Sequence, residues 1–376
     1  MFDFFRKPKG TGAALTEQQV RDALATVVEP ELRRDLVSLN MIRDVKVEGD
    51  RVAFTVVLNS PGAPTREQIE RECRAALSKL SGVGNVSINW TANVPRDRRV
   101  SDQSRLSVGN IIAVASGKGG VGKSTVSTNL AIALAQEGAR VGLLDADFYG
   151  PNIPMMMGAR QMPPPMNERI MPTEAHGVKL VSIGFILKPD QPAPWRGPML
   201  HHALRQFFND VEWGELDYLV VDMPPGTGDV QMSLAQEWPV TGGVIVTTPQ
   251  DVALADARKG LALFKQFEVP ILGIVENMSY FIAPDTGKRY EIFGHGGGKR
   301  YAAEMGVPFL GEVPIDSRIA AGGDRGRPLV VAEPDSPAAQ TFRELARQVA
   351  ARVSVLNLTR RQEGLIGLGD IPVLSS

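Results

Sequence analysis

Nine consecutive residues, Gly117-Lys118-Gly119-Gly120-Val121-Gly122-Lys123-Ser124-Thr125, constrain this chain more than any other stretch. They lie between an apolar run, Ile111 to Ala115, and a segment with Val126, Leu130 and Leu134 at four-residue spacing that stops at Gly138. The run reads as a buried strand, the spacing as a helix, and the glycine as the helix end. Gly117, Gly122, Lys123 and Ser124 fit the pattern G-x-x-x-x-G-K-[ST]. In that pattern backbone N–H groups wrap phosphates, the lysine reaches the terminal ones and the hydroxyl ligates Mg²⁺. A strand, a glycine loop and a helix in this order place a phosphate at a helix N-terminus, where the dipole and free N–H groups favour an anion. The whole loop from Gly117 to Thr125 is therefore expected to cradle a nucleotide, with Lys123 as its main side-chain cation.

At 376 residues the chain exceeds one typical domain and suits two, one of them large. A net charge of -1 supplies no global field toward nucleic acid or an anionic membrane, so neither is expected as a partner. The single cysteine, Cys73, excludes an intrachain disulfide framework, makes no thiolate metal site on its own and fits a cytoplasmic location. Met1 to Gly10 holds no apolar stretch of signal-peptide length, and no later run has the length of a bilayer span.

Residues 14–94 read as a small α+β domain. The pattern predicts a helix over Thr16 to Val28 with Thr16 as N-cap, a strand Arg51 to Leu58, a helix Thr65 to Leu80 and a strand Val86 to Trp90. Ile69, Cys73, Ala76, Leu77 and Leu80 share one face of the second helix, which makes Cys73 a core residue. Residues 95–108, with Arg96-Asp97-Arg98-Arg99, read as a solvated linker because charge is dense and no apolar period survives. Residues 109–353 form the large domain, and 354–376 a mobile tail.

In the large domain strand runs alternate with helical stretches: Val141 to Leu144, Val178 to Ile183, Tyr218 to Val221, Val244 to Thr247, Ile271 to Val275 and Phe309 to Val313. That alternation predicts an α/β fold, a parallel sheet covered by helices, with ligands beyond the carboxyl ends of the strands. Two strands end in carboxylates there: Asp145-Ala146-Asp147, and Asp222 followed by Met223-Pro224-Pro225-Gly226-Thr227-Gly228. Carboxylates beside a phosphate loop suit Mg²⁺, which makes Ser124, Asp145 and Asp222 the expected metal ligands. The competing account of each aspartate is a helix N-cap or turn residue. Asp147 is the candidate for orienting an attacking water, since phosphoryl transfer needs positioning and charge stabilisation more than strong base chemistry. Gly226 is a candidate switch that senses the terminal phosphate through its N–H. The Met- and Pro-rich stretch from Pro154 to Pro172 reads as an adaptable surface loop or as irregular core filling. Trp195-Arg196-Gly197 leads a helix with His201 and His202, neither at metal-ligand spacing, and both are read as non-catalytic.

Lys118 adds a second cation that the plain pattern does not require. The loop GKGGVGKST resembles the deviant Walker A motif of MinD-like ATPases, and that resemblance implies an ATP-bridged homodimer in which Lys118 reaches the partner's nucleotide. Together with DADFYGPNIP, WRGPM, VEWGELDYLVVDMPPGTGD, TTPQDVALADARKG and GIVENMSYF, the chain resembles the Mrp/ApbC family of P-loop ATPases over some 200 residues. The small domain, with Glu29-Pro30-Glu31 and Asn59-Ser60-Pro61-Gly62-Ala63-Pro64, resembles iron-sulfur assembly factors of the SufT and PaaD type, which often carry cysteine where Ala63 stands. These resemblances imply ATP and Mg²⁺ as cofactors, catalytic roles for Lys118, Lys123 and Asp147, adenine contacts from Asn277 and Pro314, and transfer of iron-sulfur clusters to apoproteins.

The chain departs from the family at one place. Where the family reads F-x-C-P-x-C-G, this sequence reads Phe281-Ile282-Ala283-Pro284-Asp285-Thr286-Gly287. Ala283 and Thr286 replace both thiols, and clusters are held mainly by cysteine thiolates. Asp285 and His295 remain nearby. The alternative to a cluster carrier is a nucleotide-gated adaptor that recruits apoproteins or other assembly factors and holds no cluster itself. Positioning of cargo in the MinD manner is disfavoured, because no terminal basic amphipathic helix is visible.

Overall fold

The computed structural model describes residues 15–103, 106–186 and 197–363. The chain divides into two compact units, 1–93 and 94–376, each with its own core. Among the described residues no helix is long and apolar enough to cross a membrane.

The small unit runs α1 (Glu17–Leu24), β1 (Val28–Glu29), β2 (Arg34–Asp35), β3 (Ile42–Glu48), β4 (Arg51–Leu58), α2 (Arg66–Leu77) and β5 (Asn85–Ala92). Thr16 caps α1 reciprocally: its Oγ1 accepts from Gln19 N at 3.3 Å, and the Gln19 side chain accepts from Thr16 N at 3.0 Å. β4 pairs antiparallel with β3 and parallel with β5, and buries Val52, Phe54 and Val56 in the alternation a half-buried strand requires. The pattern reading missed β3. Its register shifts between Arg43 and Lys46, with Asp44 at a φ of 50°, so a bulge breaks the two-residue period that would have marked it. Cys73 is buried in this core beside Ile69 and Leu77, and burial pushes its thiol up to about 12, far from a reactive thiolate.

The large unit opens with α3 (Arg98–Gln103), β6 (Ile111–Ser116), α4 (Lys123–Gln136), β7 (Val141–Asp145), α5 (Ile153–Met156), β8 (Thr173–Ala175) and β9 (Val178–Ser182). It continues with α6 (Gly197–Asn209), β10 (Tyr218–Asp222), α7 (Asp229–Glu237), β11 (Gly242–Thr247), α8 (Asp251–Gln266) and β12 (Ile271–Glu276). It closes with β13 (Phe281–Ile282), β14 (Arg289–Tyr290), α9 (Gly297–Met305), β15 (Phe309–Glu312), α10 (Ser317–Asp324), α11 (Leu329–Ala332) and α12 (Pro337–Glu363). One sheet holds eight strands in the order β15-β12-β11-β6-β10-β7-β9-β8, all parallel except the edge strand β8. β6 sends Ile111, Ala113 and Ala115 into one core and Ile112 and Val114 into the other, so each sheet face carries its own apolar layer. α4 is buried at every position from Val126 to Leu134, between the sheet and α12. A helix apolar or small on all sides is what that position demands.

Two expectations are corrected here. The stretch read as a solvated linker belongs to the large unit. Asp97 is buried, accepting from the Arg99 backbone and guanidinium at 3.0 and 2.8 Å and from Arg360 at 3.2 Å. Val100, Leu106 and Val108 enter the core. Paired charges looked like solvated ones, and three apolar residues at irregular spacing left no period to read. The segment expected as tail from 354 onward continues α12 to Glu363. Its polar residues are satisfied inside the fold: Ser354 donates to Ala350 O at 3.0 Å, and Asn357 donates to Pro95 O at 2.8 Å and to Asn110 Oδ1 at 2.6 Å.

These contacts predict that a chain beginning at Val94 folds, whereas one beginning at Gly109 is markedly less stable. It lacks three apolar side chains, each worth roughly 1.5–3 kcal/mol when buried. Urea midpoints compare the two, and equal midpoints would contradict the packing of this stretch.

Candidate nucleotide site

The loop between β6 and α4 is shaped by glycines. Gly120 and Gly122 sit at φ of 81° and 83°, the left-handed region that side chains avoid. A Cβ at Gly122 would also run into the Asn277 side-chain amide. The loop carries Lys123 and Ser124 onto the first turn of α4, opposite the carboxyl end of β10.

There Asp222 is the centre of a buried polar cluster. Its Oδ2 accepts from Lys123 Nζ at 2.8 Å and from Ser124 Oγ at 2.6 Å, and its Oδ1 from Ser127 Oγ at 2.6 Å. Lys123 also lies 3.7 Å from Asp147 Oδ2. In-register pairing of β10 with β7 sets Asp145 beside Asp222. Burial, reinforced by the Asp222 charge, pushes Asp145 up to about 8. Burial also raises Asp147, opposed by the Lys123 ammonium.

Hydroxyl and carboxylate oxygens beside a phosphate loop are a hard donor set, and Ser124 and Asp222 fit Mg²⁺. Asp145 fits it poorly. Its oxygens are engaged away from the loop, Oδ1 by Asp147 N at 3.2 Å and Oδ2 by Ser182 Oγ at 2.8 Å, whereas Asp222, equally buried, meets Lys123 and Ser124 directly.

The loop opens into a cleft of about 480 Å³. One wall is the loop itself with Lys118, Asp147, Asn152 and Pro225; the other is built by Met155 and Met156 of α5 and Ile319 and Asp324 of α10. That second wall was not legible beforehand. In the sequence the methionine run reads as surface loop or core filling and α10 carries no motif; the available signal is the closeness of Asn152 and Met155 to the acidic strand end. Asn277, expected to contact a base, is buried and donates to Val121 O at 2.8 Å, bracing the loop from behind. Neither Asn277 nor Pro314 lines the cleft. The Gly226 N–H, expected to be free for a phosphate, donates to Ser116 O at 3.0 Å.

His201 bridges Ser233 at 3.2 Å and Glu237 at 2.5 Å, joining α6 to α7. Trp195 and Arg196 lie outside the described residues. In the β13–β14 hairpin Ala283 N donates to Lys288 O at 3.0 Å and Gly287 N to Ala283 O at 2.8 Å, so backbone bonds close the turn where the family's thiols would stand. Ligand atoms of Glu276, His295 and Glu312 come within 4.8 Å of one another. The group is hydrogen-bonded within the protein: Arg289 Nη2 donates to His295 at 2.9 Å and to Glu312 at 3.1 Å, while Glu276 accepts from Ser279 Oγ at 2.6 Å and Gly296 N at 3.1 Å.

A family model described as ParA, NUBPL iron-transfer P-loop NTPase, matches residues 107–350. The chain belongs to this family. A second model, iron-sulfur cluster assembly protein, matches residues 17–88 of this NUBPL-type NTPase, within the small unit. An iron-sulfur cluster carrier protein of Synechocystis sp. is 52% identical over 351 residues, covering 92% of this chain and 99% of its own. One from Escherichia coli K12 is 43% identical over 337 residues, covering 89% and 91%. Among solved structures, a nucleotide-binding protein from Archaeoglobus fulgidus in complex with ADP is 38% identical with a TM-score of 0.56, covering 65% of this chain and 96% of its own.

Proposed function

We propose that this NUBPL-type NTPase is a dimeric, cytoplasmic Mg²⁺-ATPase that serves the delivery of iron-sulfur clusters to apoproteins. The observation that carries the reading is the glycine loop opening into a cleft lined by Lys123, Ser124 and Asp147, with Asp222 buried directly behind Lys123 and Ser124. ATP places its phosphates on the loop N–H groups, and Lys123 moves from Asp222 to the terminal phosphates. Ser124 and Asp222 would hold Mg²⁺, which would offset the charge on the phosphate oxygens. Water attacks the γ-phosphorus, the bond to the bridging oxygen breaks, and ADP and phosphate leave; Asp147 orients the water, and Lys118 of the partner stabilises the developing charge.

The relatives' names say cluster carrier, and the same work is proposed here. A second reading, a nucleotide-gated adaptor that holds no cluster itself, is favoured by one observation: the hairpin offers Ala283 and Thr286 where thiolates would stand, and Cys73 is buried in the small unit. Carriage by this chain then requires ligands from outside the hairpin.

Hydrolysis of ATP tests the enzymatic reading. Lys123→Ala should lose nucleotide binding. Lys118→Ala should bind ATP yet lose about 100-fold or more in kcat, and Asp147→Ala should accumulate as an ATP-bound dimer. Nucleotide affinity unchanged in Lys123→Ala, or a monomer in every nucleotide state, would contradict it.

Iron and sulfide content tests the cargo reading. Anaerobic reconstitution should leave the parent well below one cluster per dimer, while the double change Ala283→Cys plus Thr286→Cys should gain one. A stoichiometric cluster in the parent would show that this chain holds cargo with other ligands.

A further inference from the structure

Three neighbouring strands end in a buried polar row. Parallel pairing sets Asp222 of β10 beside Asp145 of β7, and Asp145 beside Ser182 of β9. Asp222 touches Lys123 and Ser124 of the glycine loop. Ser182 lies two strands away, touches nothing in the cleft, and has no exposed surface. Its hydroxyl is nonetheless fully committed in two directions.

In one direction Ser182 Oγ donates to Asp145 Oδ2 at 2.8 Å, and the other Asp145 oxygen accepts the Asp147 backbone N–H at 3.2 Å. The rotamer of Asp145 thus links the serine hydroxyl to the backbone of the residue that meets Lys123. In the other direction Ser182 Oγ accepts from Gly184 N at 2.9 Å and caps a single 3₁₀ turn, Ile183–Phe185. That turn presses on the segment after Asp147. A Cβ at Gly184 would stand 3.2 Å from Pro151 Cβ, Pro151 O and Pro154 Cγ, closer than side chains normally approach. Asp147 and Asn152, both lining the cleft, are therefore held from two sides by elements that meet at one hydroxyl.

We infer that Ser182 is a positioning residue for ATP hydrolysis: its hydroxyl fixes Asp145, which holds the Asp147 backbone, and caps the turn that braces Pro151 to Pro154. The inference rests on the ATPase reading above. Without the hydroxyl, the buried Asp145 Oδ2 loses its partner, an outcome costly enough to turn the carboxyl and release Asp147. The phosphate loop, Lys123 and Ser124 keep their own anchor on Asp222, so nucleotide binding is spared while the geometry of the attacking water is lost. Ser182→Ala should accordingly lower kcat, not affinity.

The test compares the full chain with Ser182→Ala, Ser182→Thr and Gly184→Ala, measuring kcat, nucleotide affinity and amide hydrogen exchange at Asp147. Ser182→Ala should lose about 10- to 100-fold in kcat, the scale of a small misplacement, with affinity for ADP within about twofold of the parent. Asp147 amide exchange should quicken in that variant and not in Ser182→Thr, which keeps the hydroxyl and should recover most of the rate. Gly184→Ala removes no hydrogen bond but pushes on Pro151 and should lower kcat in the same way. If Ser182→Ala does not fold, the Gly184→Ala and Ser182→Thr results decide. An unchanged kcat in Gly184→Ala, a Ser182→Ala loss that threonine does not rescue, or an affinity that falls in step with kcat would each overturn the inference. A parent with no hydrolysis that Lys123→Ala abolishes would instead overturn the ATPase reading itself.

Discussion

The carboxylate of Asp222 is the interaction on which the nucleotide cleft depends. A buried carboxylate is costly unless its oxygens are satisfied, and here three donors from one helix, Lys123, Ser124 and Ser127, converge on it. All three sit on the first turns of α4, so the contact that neutralises Asp222 also docks the helix N-terminus against the carboxyl end of β10. The loop preceding α4 must then reverse over a short distance, which the left-handed Gly120 and Gly122 allow. Lys123 and Ser124 are also the groups that a phosphate and a metal ion would draw on, so binding would exchange one set of charge-assisted bonds for another.

The sheet explains why the acids assemble at one place. Parallel strands in register bring every carboxyl end to one edge of the domain, and a residue that terminates a strand faces the residue terminating its neighbour. Asp222, Asp145 and Ser182 follow from register alone. Asp145, crowded by burial and by Asp222, sits in the row as support for Asp147, with its own oxygens engaged inside the protein.

Much of this was readable in the amino-acid order, for physical reasons. Buried parallel strands are short continuous apolar runs, so all seven of the large domain were visible, and the phosphate loop has a backbone requirement only its glycines meet. Asp222 was marked by its place after Leu219-Val220-Val221. Features that depend on distant partners were hidden. β3 carries a bulge that scrambles its period. Asp97 resembles a solvated charge until Arg99 and Arg360 are placed around it. The continuation of α12 relies on Asn357 finding Pro95 and Asn110, residues some 250 positions away. The cleft's far wall joins α5 to α10 from opposite ends of the domain. Asn277 was assigned to a base by resemblance, yet its amide is spent on the loop carbonyl of Val121.

In the proposed cycle the Lys123–Asp222 contact gives way when phosphate and metal bind. A crystal structure of the chain with Mg²⁺ and a non-hydrolysable ATP analogue tests it most directly. Lys123 Nζ should lie on the terminal phosphates, Ser124 Oγ on the metal and Asp222 facing it. Nucleotide bound in the cleft with Lys123 still 2.8 Å from Asp222 Oδ2 would contradict it.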